Sequence, residues 1–221
     1  MDYSDARRRM VENQVRANKV TDPLVIAAMA ALPREAFAPE AMKDIAYVDE
    51  AIPLGDGRFL MEPMILARLI EAARVQPTDV VLEIGCGAGY ASALLARLAS
   101  TVVALESDKK LAAKATKTLG SLGIDNVAVI GGKLENGYPK QAPYDVIFVN
   151  GCVGQVPSGL TKQLAEGGRL VALFADEPLM SQGWGKAALL TRSGAGVSRN
   201  DLFDAGTPAL AGFSLEPAFA L

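Results

Sequence analysis

The chain predicts an α/β fold: a doubly wound, mostly parallel sheet with helices on both faces, preceded by helices and followed by a late antiparallel strand pair. Three observations carry this. Short branched-apolar runs such as Val80-Val81-Leu82 and Val102-Val103-Ala104-Leu105 suit strands covered on both sides. Helix-length segments separate those runs, as parallel crossovers require. One run leads directly into Gly85-Cys86-Gly87-Ala88-Gly89, a glycine turn at the carboxyl end of a strand, where open parallel sheets bind small ligands.

Taken in order, a helix is expected over 4–19, because Ala6, Met10, Val11 and Val15 recur at helical spacing and Asn18-Lys19 ends the pattern. Thr21 or Asp22 can cap a second helix that has Pro23 in its first turn and runs to about Leu32. Pro33 to Pro39 is a punctuated connector, and 40–62 reads as irregular, with turn chemistry at Pro53-Leu54-Gly55-Asp56-Gly57. Pro63 opens a helix to about Ala73. Strands are predicted at 79–84, 101–106, 126–130, 144–149 and 168–174, and helices at 89–98, 108–120 and 157–165. Residues 186–192 and 198–204 can form the late pair, with Gly194 and Gly196 leaving its register open. The expected organisation is a single domain over 1–221, with a cap (1–75), a ligand-binding core (76–175) and C-terminal strands and tail (176–221).

Composition narrows the chemistry. Of 221 residues, 50% are hydrophobic but only 6% aromatic, so one aliphatic, alanine-rich core is expected. A net charge of −3 argues against general nucleic-acid binding. Arg7-Arg8-Arg9 splays around a helix and reads as solvated surface. The chain has no histidine, which excludes Ser-His-Asp and Cys-His mechanisms and removes the commonest metal ligand. Cys86 and Cys152 lie 66 residues apart and form no CxxC pair, so neither a disulfide scaffold nor a metal site is expected. There is no apolar leader-like segment and no apolar run of membrane-spanning length, so a cytoplasmic protein without a membrane partner is the expectation.

In Gly85-x-Gly87-x-Gly89, Tyr90 stands where a dinucleotide fingerprint has its third glycine. Glu83 lies on the strand before the turn. Glu106 ends the next strand, 21 residues after Gly85, near the spacing of a carboxylate that grips ribose hydroxyls. This pattern resembles the methyltransferases that use S-adenosyl-L-methionine. That cofactor has a ribose diol, a cationic sulfonium and an amino-acid group, but no pyrophosphate. A purely structural turn and a nicotinamide site are the other readings of the loop.

Further anchors fall into one order: Val11-Glu12-Asn13-Gln14, Leu32-Pro33-Arg34-Glu35-Ala36-Phe37, Ala46-Tyr47-Val48-Asp49, Ile52-Pro53-Leu54-Gly55, and Leu82-Glu83-Ile84-Gly85 through Tyr90. Leu122-Gly123-Ile124-Asp125-Asn126-Val127, Ala142-Pro143-Tyr144-Asp145 and Gln163-Leu164 with Gly167-Gly168-Arg169-Leu170-Val171 follow. The series resembles the protein-L-isoaspartate O-methyltransferase family over about residues 10–174.

The resemblance implies a Rossmann-like methyltransferase that esterifies the free α-carboxylate of isoaspartyl residues in damaged protein. It also implies that Glu83, Gly85, Gly87 and Tyr90 cradle the cofactor's methionyl and ribose groups. Glu106 falls where the family holds the ribose, Ser107 lies beside the adenine, and Gly132 and Lys133 lie at the adenine edge. Two segments depart from the family. Its Gly-Gln-Thr-Ile-Ser-x-Pro reads Gly57-Arg58-Phe59-Leu60-Met61-Glu62-Pro63 here, so Phe59 and Met61 replace the active-site threonine and serine. Arg58 offers a guanidinium in their stead. The family's Gly-Asp-Gly reads Gly132-Lys133-Leu134, which loses an adenine acceptor that Glu135 could replace. Asn150 keeps a polar group after the fourth strand. The expected partner is a protein or peptide carboxylate. The alternatives are a more apolar small-molecule acceptor, or a non-catalytic protein that retains the scaffold. The sequence does not specify the oligomeric state.

Overall fold

The computed structural model describes residues 2–175, 182–194 and 196–213. Three helices come early: α1 (Tyr3–Met10), α2 (Pro23–Ala31) and α3 (Pro63–Ala73). A small hairpin, β1 (Ile52–Gly55) and β2 (Arg58–Leu60), precedes α3. The alternating region follows: β3 (Val80–Ile84), α4 (Tyr90–Ala96), β4 (Thr101–Glu106), α5 (Lys109–Ser121), β5 (Val127–Gly131), β6 (Tyr144–Val153), α6 (Ser158–Thr161) and β7 (Leu164–Ala175). Strands β8 (Gln182–Ser193) and β9 (Gly196–Pro208) complete the main sheet.

That sheet has the order β5-β4-β3-β6-β7-β8-β9. Its first five strands are parallel; β8 and β9 are antiparallel. From β3 the chain winds outward through β4 to β5, then returns to lay β6 against the other side of β3. The switch point therefore falls between β3 and β6, where the crevice for a ligand opens in such sheets. Both faces of the sheet are covered, and alternate residues serve alternate faces. Val81, Val102, Val146 and Phe148 pack toward the N-terminal helices, while Leu82, Ile84, Val103, Ile147 and Val149 pack against Leu134, Tyr144 and Leu160.

Local chemistry explains where the helices begin. Asp2 accepts from the amides of Ser4 (2.9 Å) and Asp5 (3.1 Å). Asp22, not Thr21, caps α2, with Pro23 at its first position. Asp108 caps α5 through the amides of Lys110 (2.7 Å) and Leu111 (2.8 Å). Each cap satisfies N–H groups that have no partner within the helix.

Several boundaries differ from the sequence reading. The helix expected over 4–19 is α-helical only to Met10; a π turn (Val11–Val15) and a 3₁₀ turn (Arg16–Asn18) finish it at Lys19, whose φ is 68°. The wider turn keeps Met10, Val11 and Val15 buried while Gln14 Nε2 donates to the Tyr47 carbonyl (2.8 Å). The segment 40–62, read as irregular, holds a 3₁₀ run (Glu40–Ile45) and the β1–β2 hairpin. The hairpin reverses at Asp56-Gly57, both at positive φ (48° and 71°), as a two-residue primed turn needs. The helix expected over 157–165 shrinks to Ser158–Thr161, and β7 begins at Leu164 rather than 168. Tyr144 pairs with Leu164 and Val146 with Arg169, so the intervening residues, with Gly167 at φ 71°, form a bulge inside the strand. Strand β6 runs on to Val153, and the C-terminal pair is longer than expected.

Candidate active site

The site is built where β3 and β4 end. The amides of Gly85 (2.8 Å) and Cys86 (3.1 Å) both donate to the Leu105 carbonyl, folding the turn back against β4. Gly85, Gly87 and Gly89 all have positive φ (82°, 56° and 95°), which glycine adopts without steric cost. Gly89 also admits α5: a Cβ there would lie 3.1 Å from Ala115 Cβ. Close helix packing thus belongs to Gly89, whereas position 90 carries a side chain. The Tyr90 ring is buried beside Phe37 (centroids 5.4 Å apart), under the Arg34 guanidinium, and burial pushes its hydroxyl pKa up.

Glu106 is fully buried at the tip of β4. Its Oε2 accepts from the Gly87 amide (2.7 Å) and from Arg58 Nη2 (2.9 Å). Its Oε1 accepts from the amides of Ser107 (2.8 Å) and Asp108 (3.0 Å), and from Ser107 Oγ (3.3 Å). Four N–H donors in a dry place fix this carboxylate in position.

Glu83, also fully buried, accepts from Ser92 Oγ and from Asn150 Nδ2 (3.0 Å). Burial dominates its titration and pushes its pKa up to about 7. The Ser92 and Asn150 donors resist that rise, nearby Glu106 adds to it, and Arg58 opposes it.

Arg58 enters from the first strand residue after the hairpin turn and is 4% exposed. Apart from its bond to Glu106, its Nε and Nη1 are buried without hydrogen-bond partners, as is Asn150 Oδ1. Together with Phe59, Met61, Gly151 and Thr207 these residues line a cavity of about 10 Å³, room for roughly one water. The end of β9 closes the other side. Ala209 bridges to Cys152, and the Leu210 amide donates to the Cys152 carbonyl (2.8 Å). That places Leu210 Cδ1 2.7 Å, and Arg58 Nη2 2.8 Å, from where a Cβ on Gly85 would sit.

The sequence-derived positions therefore divide. Gly85, Gly87, Glu106, Ser107 and Arg58 converge at one point, with Glu83 and Asn150 behind it. Gly132 and Lys133 are exposed at the rim, where the Gly132 amide donates to the Glu106 carbonyl (3.0 Å). Met61 is buried in the core, and Phe59 is half-buried. Glu135, considered as a substitute acceptor, has Oε2 3.2 Å from where a Cβ on Gly212 would lie.

Two residues carry more than sequence reasoning assigned them. Arg34 is fully buried, donates from Nε to the Ala46 carbonyl (2.6 Å) and from Nη2 to the Met61 carbonyl (2.7 Å), and so clamps the segment that carries Phe59 and Met61. Its place in Pro33-Arg34-Glu35 was the available signal. Ser92, in the first turn of α4, had none. The Arg7-Arg8-Arg9 reading also needs correction: Arg8 and Arg9 are exposed and pair with Asp5, but Arg7 turns inward, with Nε donating to Tyr47 Oη (3.0 Å).

Glu106 offers a buried carboxylate of the kind that suits ribose hydroxyls, and Glu83 a second buried acid beside the glycine turn. What fills the approach to Gly85 is the ends of two side chains, Arg58 and Leu210, not backbone. The donor set fits the cofactor, and the fold and site define an S-adenosylmethionine-dependent methyltransferase.

Residues 5–182 match the family model for protein-L-isoaspartate(D-aspartate) O-methyltransferase, and the chain belongs to that family. It is 47% identical over 169 residues to protein-L-isoaspartate O-methyltransferase 1 of Rhodopseudomonas palustris (strain HaA2), covering 76% of this chain and 69% of that one. It is 45% identical over 168 residues to the Methanoregula boonei protein-L-isoaspartate O-methyltransferase, covering 76% and 77%. A solved protein-L-isoaspartate O-methyltransferase superposes with a TM-score of 0.80 at 26% identity, covering 93% of this chain and 66% of that one. A Plasmodium falciparum structure named for the same activity, in complex with S-adenosyl-L-homocysteine, shares the fold (TM-score 0.76, 20% identity, 93% of this chain and 98% of that one).

Proposed function

We propose that this protein transfers the methyl group of S-adenosylmethionine to the free α-carboxylate of isoaspartyl residues in damaged protein or peptides. The observation that carries the reading is Glu106: a buried, fully hydrogen-bonded carboxylate at the carboxyl end of β4, beside a glycine turn, in a chain of this family. The cofactor, when bound, supplies a methyl carbon already activated by its cationic sulfur.

The chain's own residues have modest tasks. A substrate carboxylate is ionised at neutral pH, so no general base is needed and the lack of histidine is no obstacle. Glu106 and the Gly87 amide would hold the sugar, and Glu83 would face the amino-acid group. The β1–β2 hairpin and Leu210 exclude water from the crevice, which raises the reactivity of a carboxylate placed in line with the methyl group. The ester formed can close to a succinimide and reopen as ordinary aspartate. We place this activity in the cytoplasm; no helix among the described residues is long and apolar enough to cross a membrane.

A second reading rests on Phe59 and Met61. They make one wall of the acceptor side apolar, so a bulkier, less polar acceptor is the rival substrate. Labelled cofactor offered an isoaspartyl peptide and its aspartyl twin separates the two. Methyl transfer to the first and not the second supports repair; equal or no transfer, with turnover on a panel of apolar metabolites, supports the rival.

A further inference from the structure

Arg58 and a bound ribose would compete for one carboxylate. The Arg58–Glu106 contact joins residues 48 positions apart, both almost wholly buried, at 2.9 Å. The guanidinium also packs into the space over Gly85, 2.8 Å from a virtual Cβ. Glu106 does not depend on Arg58 to stay buried, because the amides of Gly87, Ser107 and Asp108 already satisfy it. Arg58, by contrast, is under-used: a guanidinium has five donors, and both Nε and Nη1 are buried without a partner. Released from Glu106, the guanidinium would present a planar edge, Nη2 with either Nε or Nη1, whose two N–H groups complement a carboxylate. Arg58 lines the small cavity with Phe59, Met61 and Asn150, on the side where the acceptor is expected.

We propose that Arg58 sets the affinity of the cofactor site by competing with the ribose diol for Glu106, and that its release makes it the ligand of the acceptor carboxylate. This rests on the methyltransferase reading above and deepens it. Nucleoside enters first and takes Glu106; the freed guanidinium then takes over the recognition that Phe59 and Met61, having no donors, cannot provide. Cofactor affinity is thereby traded for an acceptor site specific for carboxylates.

Calorimetry with S-adenosyl-L-homocysteine tests the competition without any turnover. Arg58→Gln should bind it about tenfold more tightly than the wild type, about 1.4 kcal/mol, and Arg58→Lys should fall between. Equal or weaker binding by Arg58→Gln, in a variant whose melting and circular dichroism match the wild type, overturns the proposal. A wild-type measurement guards against a variant that misfolds. The Arg58 Nε–H resonance in nitrogen-15-labelled protein should move when S-adenosyl-L-homocysteine is added and move again with an isoaspartyl peptide. A resonance unmoved by the nucleoside refutes the competition, and one unmoved by the peptide refutes the carboxylate role. Failure of the parent reading looks different: the nucleoside binds and Arg58 responds, yet no isoaspartyl peptide is methylated.

Discussion

Replacing Glu83 by Gln should remove a pH dependence from the stability of this protein. The Glu83 carboxyl is buried completely, and its pKa is pushed from 4.5 up to about 7, chiefly by burial. Between those two values the folded chain keeps a proton that the unfolded chain has lost. Stability from this group is therefore full below about pH 4.5, declines as pH rises through 7, and is level above that. The span is roughly 2.5 units, or about 3 kcal/mol at 1.36 kcal/mol per unit. The amide introduced by Glu83→Gln would keep its oxygen as acceptor for Asn150 Nδ2 and donate its NH2 to the Ser92 hydroxyl, which can accept, without the charge; the variant should lack that decline and gain up to about 3 kcal/mol over wild type at alkaline pH. Glu62, raised mainly by burial, titrates with the same sign in both proteins and cancels in the difference. Urea unfolding followed by circular dichroism from about pH 5 to about pH 8 reads that difference. Parallel wild-type and variant curves over this range would refute the account of Glu83 as a desolvated carboxylate.

Three further outcomes follow from the same geometry. Gly85→Ala should lose about 1–3 kcal/mol of stability, from positive φ and from contacts with Leu210 and Arg58 that must give, and should weaken S-adenosyl-L-homocysteine binding at least about tenfold by calorimetry. Arg34→Met should cost about 2–4 kcal/mol in denaturant unfolding, because it strands the Ala46 and Met61 carbonyls; a loss below about 1 kcal/mol would show that the segment holds without the clamp. The double change Phe59→Thr with Met61→Ser should raise isoaspartyl turnover by about tenfold while lowering the melting temperature, since Met61 is core; unchanged turnover would mean that these positions do not read the acceptor.

Much of the site was legible because it is local. The turn 85–89 follows its strand directly, and Glu106 closes the neighbouring strand, so spacing alone brought the two together at one end of the sheet. The Asp56-Gly57 turn was visible, but its flanking strands of four and three residues are too short to show periodicity. The bulge in β7 escaped for the opposite reason: Gly167-Gly168 looks like a strand boundary until β6 pairs on both sides of it.

From the sequence alone came the parallel sheet, the glycine turn, the carboxylate that ends the adjacent strand and the family, since strand–turn–helix patterns are written in contiguous residues. The tertiary structure alone decided where Arg58 spends its charge, that Leu210 returns over Gly85, that Arg34 clamps Met61 and that Glu83 is desolvated. Each depends on elements far apart in the chain meeting in a dry interior, where strand order and packing, not local pattern, choose the partner.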